Sequence, residues 1–398
     1  MSTTTMALPN TAIKRTRIES IDLLRGTVMI IMALDHVRDY FHGSAYIFDP
    51  TDLSQTTVFL FFTRWITHFC APVFAFLAGT SAYISGTRKT KKELSFFLLT
   101  RGLWLVLLEF AFVTFEWTFN PAYKVFLVQV IWALGVSMIA LSALIYLPWR
   151  AILLIGLALI FGHNLLDGVH KEGSIFWAFL HDQRYFQLGA RGLFVGYPIL
   201  PWIGIMATGY CFGKLYTPQF DAAKRKQTLL YLGLGAIALF IIIRAINIYG
   251  DPNAWSTQPK PVFTLLSFLN VTKYPPSLLY TLVTLGPAFL FLAFTEKPLN
   301  GLTEKLVVIG RVPMFFYLVH IAVIHALGFI GAEISGHQWT DMILSNWVTA
   351  SPELKNYGFS LGIVYLLWIV VIIGLYPLCK WYDTYKRNHR EKQWLSYL

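Results

Sequence analysis

YLGLGAIALFIII, residues 231–243, and AILLIGLALIF, residues 151–161, each run on without a charged, amide or imidazole side chain. Strands of a transmembrane barrel alternate in segments of about ten residues, so these runs are not barrel strands. A soluble domain cannot enclose them either. Across 398 residues, 56% are apolar and only 13% charged, where soluble domains carry about 25% charged. Too few polar side chains remain to cover a water-facing surface. The same composition excludes disorder, collagen and coiled coil. The chain reads as an all-α polytopic membrane protein.

Working outward, about ten stretches approach the ~20 residues that cross a bilayer core. They are 18–40, 58–85, 94–117, 123–146, 148–166, 195–214, 227–249, 275–295, 305–330 and 358–380. Ser174–His181 is apolar enough to lie at an interface. No internal repeat interrupts the series, so one membrane domain over 18–382 is expected, with tails at 1–17 and 383–398. The opening residues are polar, and no cleavable signal peptide is expected from them.

Net charge is +11, with 32 Lys and Arg against 21 Asp and Glu. The basic residues cluster in short segments on one side of the predicted spans: Lys14, Arg15 and Arg17, then Arg88–Lys92, Lys224–Lys226 and Lys386–Lys392. Positive loops face the cytoplasm, so both termini are expected there. The charge therefore reads as orientation in a lipid bilayer rather than affinity for nucleic acid. Cys70, Cys211 and Cys379 are scattered through apolar segments, in neither a disulfide framework nor a metal spacing. No metal is expected.

Ionisable groups inside spans are costly, so each is a candidate for function. SIDLLRGTVMIIMALDHVRDYFH, residues 20–42, is the richest stretch. At 100° per residue, Asp22, Arg25, Met29, Met32, His36 and Asp39 form one stripe. His36 lies about 16 Å beyond Arg25 along the axis. Arg25, Arg101 and Arg311 share one depth, roughly 10 Å in from the cytoplasmic ends, where guanidinium groups suit an anion such as phosphate. For Arg101 and Arg311 a structural pairing stands beside that reading, with Glu109 as one partner of Arg101. In the opposite half lie His36, Asp35, Asp39, Arg64, His68, Tyr317 and His320. Imidazole with a neighbouring carboxylate equips a site for proton abstraction near neutral pH, so Asp35 or Asp39 is expected to fix the His36 tautomer. Arg244, His163 and His325 read as packing or interface residues.

These residues carry a resemblance. Arg25, ten residues and His36 on a first span reading IDLLRG are similar to the Arg-X10-His signature of acyltransferase-3-type membrane O-acyltransferases. Further motifs are FFTRWITHFCAPVFAFLAGTSAY (61–83), YPILPWIG (197–204), KYPPSLLYTLVTLGP (273–287) and GRVPMFFYLVH (310–320). With the first span, they make the chain resemble bacterial relatives of heparan-α-glucosaminide N-acetyltransferase. The resemblance implies a multi-pass acyltransferase of the bacterial cytoplasmic membrane. It would move an acyl group, acetyl being the expected one, from cytoplasmic acyl-CoA to a glycan or other hydroxyl or amine acceptor at the outer face. Acyl-CoA would be a co-substrate, and no permanently bound cofactor is expected. The pattern places His36 as the base, with Asp39, Asp35, His68 and His320 beside it; His42 is the candidate in the following loop. Arg25, Arg101 and Arg311 would hold the CoA phosphates. Monomer and homo-oligomer both stay open. The competing class is a transporter of an anionic small solute, since buried Arg and His also line transport paths.

Overall fold

In the computed structural model, residues 19–396 are described; the expected tail carrying Lys14, Arg15 and Arg17 lies outside them. Helix α1 spans Glu19–Phe41 and α2 Val58–Trp65, which a 3₁₀ turn joins to α3, Cys70–Gly86. Helix α4, Lys91–Leu108, opens on a capping box at Thr90 and Glu93 and passes through a π-turn, Glu109–Val113, into α5, Thr114–Thr118. Strand β1, Val125–Val128, precedes α6, Val130–Leu144, and α7, Trp149–Gly162. Then come α8 (Ile175–Leu180), β2 (Arg184–Leu188), β3 (Arg191–Val195), α9 (Leu200–Phe212), α10 (Ala222–Ile246) and α11 (Pro261–Leu269). Helices α12 (Leu278–Thr295), α13 (Gly301–Arg311), α14 (Pro313–Ile334) and α15 (Leu361–Asn388) complete the bundle.

Among the described residues, seven helices are long and apolar enough to cross a membrane: Val58–Gly86, Lys91–Thr118, Trp149–Leu166, Ala222–Ile246, Leu278–Thr295, Pro313–Ile334 and Leu361–Asn388. Their outward faces carry side chains such as Leu234, Ile242, Leu366 and Ile373, exposed in a way only lipid would welcome. This is a multi-pass membrane protein. Helix α1 is as long but carries Asp22, Arg25, Asp35, Arg38 and Asp39. It tolerates them because α3, α12, α13, α14 and α15 pack around it.

Three expectations need correction. The chain is not purely helical: β1 pairs parallel with β3, and β3 antiparallel with β2. The apolar stretch 123–146 is thus a strand followed by a shorter helix, because Val125–Val128 finds a backbone partner in Gly192–Val195. The stretch 305–330 is two helices. Pro313 clashes with the helical conformation of the residue before it, and Val312 accordingly leaves it, at φ −125°, ψ 49°. Finally, α15 runs on to Asn388, past the stretch 358–380 expected for it.

Small residues let helices touch in a membrane. A Cβ on Gly310 would stand 1.9 Å from the Asp22 carbonyl oxygen, and one on Gly26 1.9 Å from that of Leu306. This seam between α1 and α13 brings Arg25 within 3.2 Å of the Gly310 carbonyl oxygen and seats Arg311 beside it. Overpacking typically costs about 1–3 kcal/mol, and here the obstacle is backbone on both sides. Gly310→Ala should therefore lower the thermal midpoint in detergent. Gly235→Ala should leave it nearly unchanged, because nothing lies within 4 Å of a Cβ there. Equal midpoints for the two variants would refute the seam.

Candidate active site

A cavity of about 400 Å³ opens at the C-terminal end of α1. His36, Asp35, Asp39, Arg64, Trp117, Lys273 and Tyr317 are among its walls. His36 is held from behind. The Phe316 carbonyl can only accept, so His320 Nδ1, 2.8 Å away, carries a proton. With His320 neutral, its Nε2 has the lone pair, and His36 Nδ1, 2.8 Å from it, is the donor. In a neutral His36 ring, Nε2 is then the basic atom. His320 is fully buried, whereas His36 is partly open to the cavity. Trp117 packs edge-on against the His36 ring, centroids 4.8 Å apart.

The carboxylates are engaged elsewhere, which corrects the expectation that they fix the His36 tautomer. Asp35 pairs with Arg64 at 2.5 Å and Arg38 at 2.9 Å, and Lys273 stands 3.9 Å away. Asp39 pairs with Arg38 at 2.5 Å. Three cations meet two carboxylates here, and Asp49 lines the same cavity, so the formal charges of this lining balance. His42 lies nearer the mouth, 2.7 Å from Ser44 Oγ. Burial, with the Arg38 charge close by, holds it below the usual imidazole range. His68 is brought elsewhere: it is buried against Tyr280 and lines a smaller cavity of about 240 Å³, whose wall also includes Arg64 and Lys273.

A second cavity, about 440 Å³, enters from the opposite end of α1. Arg25, Arg101 and Arg311 all line it, and so does Lys386 from α15. Arg25 also donates to Asp22 Oδ1 at 3.1 Å and Ser81 Oγ at 3.2 Å. Arg311 lies 3.7 Å from Asp383 and 3.9 Å from Asp22. Glu109, in contrast, accepts from the backbone N–H groups of Gln129 and Trp132, at 3.2 and 2.9 Å. It caps the start of α6, which answers the pairing expected with Arg101. Met32, Phe74, Val130 and Tyr317 stand in the walls of both cavities.

A family model described as heparan-alpha-glucosaminide N-acetyltransferase, catalytic, matches residues 17–248. That is more than half of the chain. The chain belongs to this family. No curated protein matches it. The matched part of this heparan-α-glucosaminide N-acetyltransferase-type chain holds Arg25, His36, His68 and Arg101, whereas Arg311 and His320 lie beyond it. Membership makes it a membrane protein of transferase, and specifically acyltransferase, type; it lends nothing to the transporter reading.

Sequence reasoning missed Lys273, Trp117 and Lys386. In the sequence Lys386 reads only as one of the basic charges that orient the chain. Lys273 opens the KYPPS motif, and that was the available signal. Trp117 reaches His36 only because α4 continues through its π-turn, a feature frequent at functional sites and invisible in composition. Arg244 is structural: it donates to the carbonyls of Asn253, Ser267, Phe268 and Asn270.

Proposed function

We propose that this protein transfers an acyl group, in the first instance acetyl, from cytoplasmic acyl-CoA to an amine or hydroxyl of a glycan-type acceptor on the far side of a bacterial cytoplasmic membrane. One observation supports this above the rest: an arginine-lined cavity and a histidine-lined cavity enter α1 from opposite ends and share four wall residues. CoA would lay its phosphates on Arg25, Arg101, Arg311 and Lys386. Its pantetheine would run toward Tyr317 and bring the thioester to the shared wall.

His36 Nε2 would take a proton from the acceptor as its nitrogen or oxygen attacks the thioester carbonyl. The tetrahedral intermediate would find donors in Tyr317 and in Arg64 and Lys273, the cationic groups beside Asp35. Collapse breaks the C–S bond, and the proton on His36 goes to the departing thiolate. CoA is consumed as co-substrate, with no resident cofactor. About ten spans in one domain over 18–382, with both termini cytoplasmic, would put the donor cavity on the inner side.

Two measurements test this reading. Purified protein in detergent should be thermally stabilised by acetyl-CoA and should release free thiol only when an amino sugar is added. A transporter would release none. For orientation, Ser54→Cys should react with a membrane-impermeant maleimide added outside intact cells, while Thr90→Cys should not. Both positions are exposed, and the native Cys70, Cys211 and Cys379 are buried. Reversed labelling would refute a cytoplasmic donor.

A further inference from the structure

Away from both cavities, three side chains converge where α7 ends. His163 and Asp167 are four residues apart on the last turns of that helical segment, and His181 closes α8. His163 Nδ1 and His181 Nε2 are 3.1 Å apart, and His181 Nε2 is 3.7 Å from Asp167 Oδ1. One ligand atom from each residue falls within 4.8 Å of the others. We propose that His163, Asp167 and His181 bind a divalent transition-metal ion of the zinc class.

The distances argue for an ion over a plain histidine pair. Zinc held at about 2.0–2.1 Å by tetrahedral ligands separates those ligands by roughly 3.3 Å; the 3.1 Å pair lies close to that, the 3.7 Å pair somewhat wider, and all three atoms fall within 4.8 Å of one another. A shared proton between the imidazoles accounts for the 3.1 Å contact. It does not account for Asp167 Oδ1, which at 3.7 Å is beyond hydrogen-bond reach of His181. Two imidazoles with one carboxylate suit zinc, not calcium or magnesium, which prefer oxygen alone. Three protein donors leave a fourth position for water.

An outer layer is in place as well. Asn164 Nδ2 donates to Asp167 Oδ2 at 2.7 Å, while Asn164 Oδ1 accepts from the backbone N–H of Leu278 at 2.9 Å. Ligand-orienting partners of this kind accompany metal sites. The ion would tie α7 to α8 and, through Asn164, to the start of α12. Gln183, two residues beyond His181, lines the His36 cavity, so the clamp would hold the segment that delivers part of that wall.

The test needs no enzymatic readout. The full chain, carried on a tag without histidine, is purified in detergent, loaded with zinc and dialysed, and its metal is counted by mass spectrometry. The expected result is about one zinc per chain, with Asp167→Asn and His181→Gln at background. Cobalt in its place should show the intense visible bands of four-coordinate geometry. Asn164→Ala should weaken zinc binding about 10- to 100-fold. A parent protein that keeps only background zinc overturns the proposal, whatever its variants do. So does equal zinc in the parent and in the His163→Gln/His181→Gln double variant.

Discussion

His36→Ala should lower acyl transfer by about 10²- to 10⁴-fold, the usual contribution of a positioned general base, while acetyl-CoA still stabilises the protein. The expectation follows from the pair described above: His320, anchored on the Phe316 carbonyl, receives the Nδ1 proton of His36 and leaves Nε2 basic. His36→Gln keeps the volume and a hydrogen bond without useful basicity, so it should be equally inactive. His320→Ala removes the anchor but not the base. Its kcat should fall less than that of His36→Ala, with donor KM little changed. His42→Ala should remain active, since that ring lies about 9 Å further along α1 by helix rise and bonds to Ser44. Activity in His36→Ala with none in His42→Ala would move the base to the mouth of the cavity.

Arg101→Ala and Lys386→Ala should each weaken acetyl-CoA binding about 10- to 150-fold, since a hydrogen bond to a charged group contributes about 1.5–3 kcal/mol. Acceptor KM should hardly move. Arg25→Ala would also strip a partner from buried Asp22 and from the Gly310 carbonyl, so part of its effect would be structural. Calorimetric titration with acetyl-CoA reads the difference directly. Unchanged affinity in both variants would mean that the cationic wall serves packing, not phosphate.

Much of this arrangement was legible in the sequence, and for a physical reason. Intramembrane charge is so costly that its positions encode depth: one helical repeat placed Arg25 and His36 on one stripe, and all of that stripe but Asp22 lines the two cavities. The grouping of Arg25, Arg101 and Arg311 came from depth alone. Hydrogen-bond partners were not legible. Asp35 and Asp39 sit beside His36 in sequence, yet side chains one and three residues away from it on α1 point to Arg38 and Arg64. The true partner is 284 residues distant. The small sheet escaped notice because Val125–Val128 is as apolar as a helix start. Only its pairing with β3, remote in the chain, makes it a strand.

Two cavities that stop at the same four side chains come close to being a pore. An energised membrane cannot carry one: each elementary charge that slips through 100 mV dissipates about 2.3 kcal/mol. If the two cavities serve the proposed transfer, Met32, Phe74 and Val130 would be insulation as much as active-site wall, an apolar constriction of the sort that keeps ions out by shedding water. On the proposed reading, the same wall would limit how bulky an acyl group can reach His36. Trimming Met32 would admit longer chains and loosen the electrical seal in one stroke, so substrate range and membrane tightness are bound to a single layer of side chains.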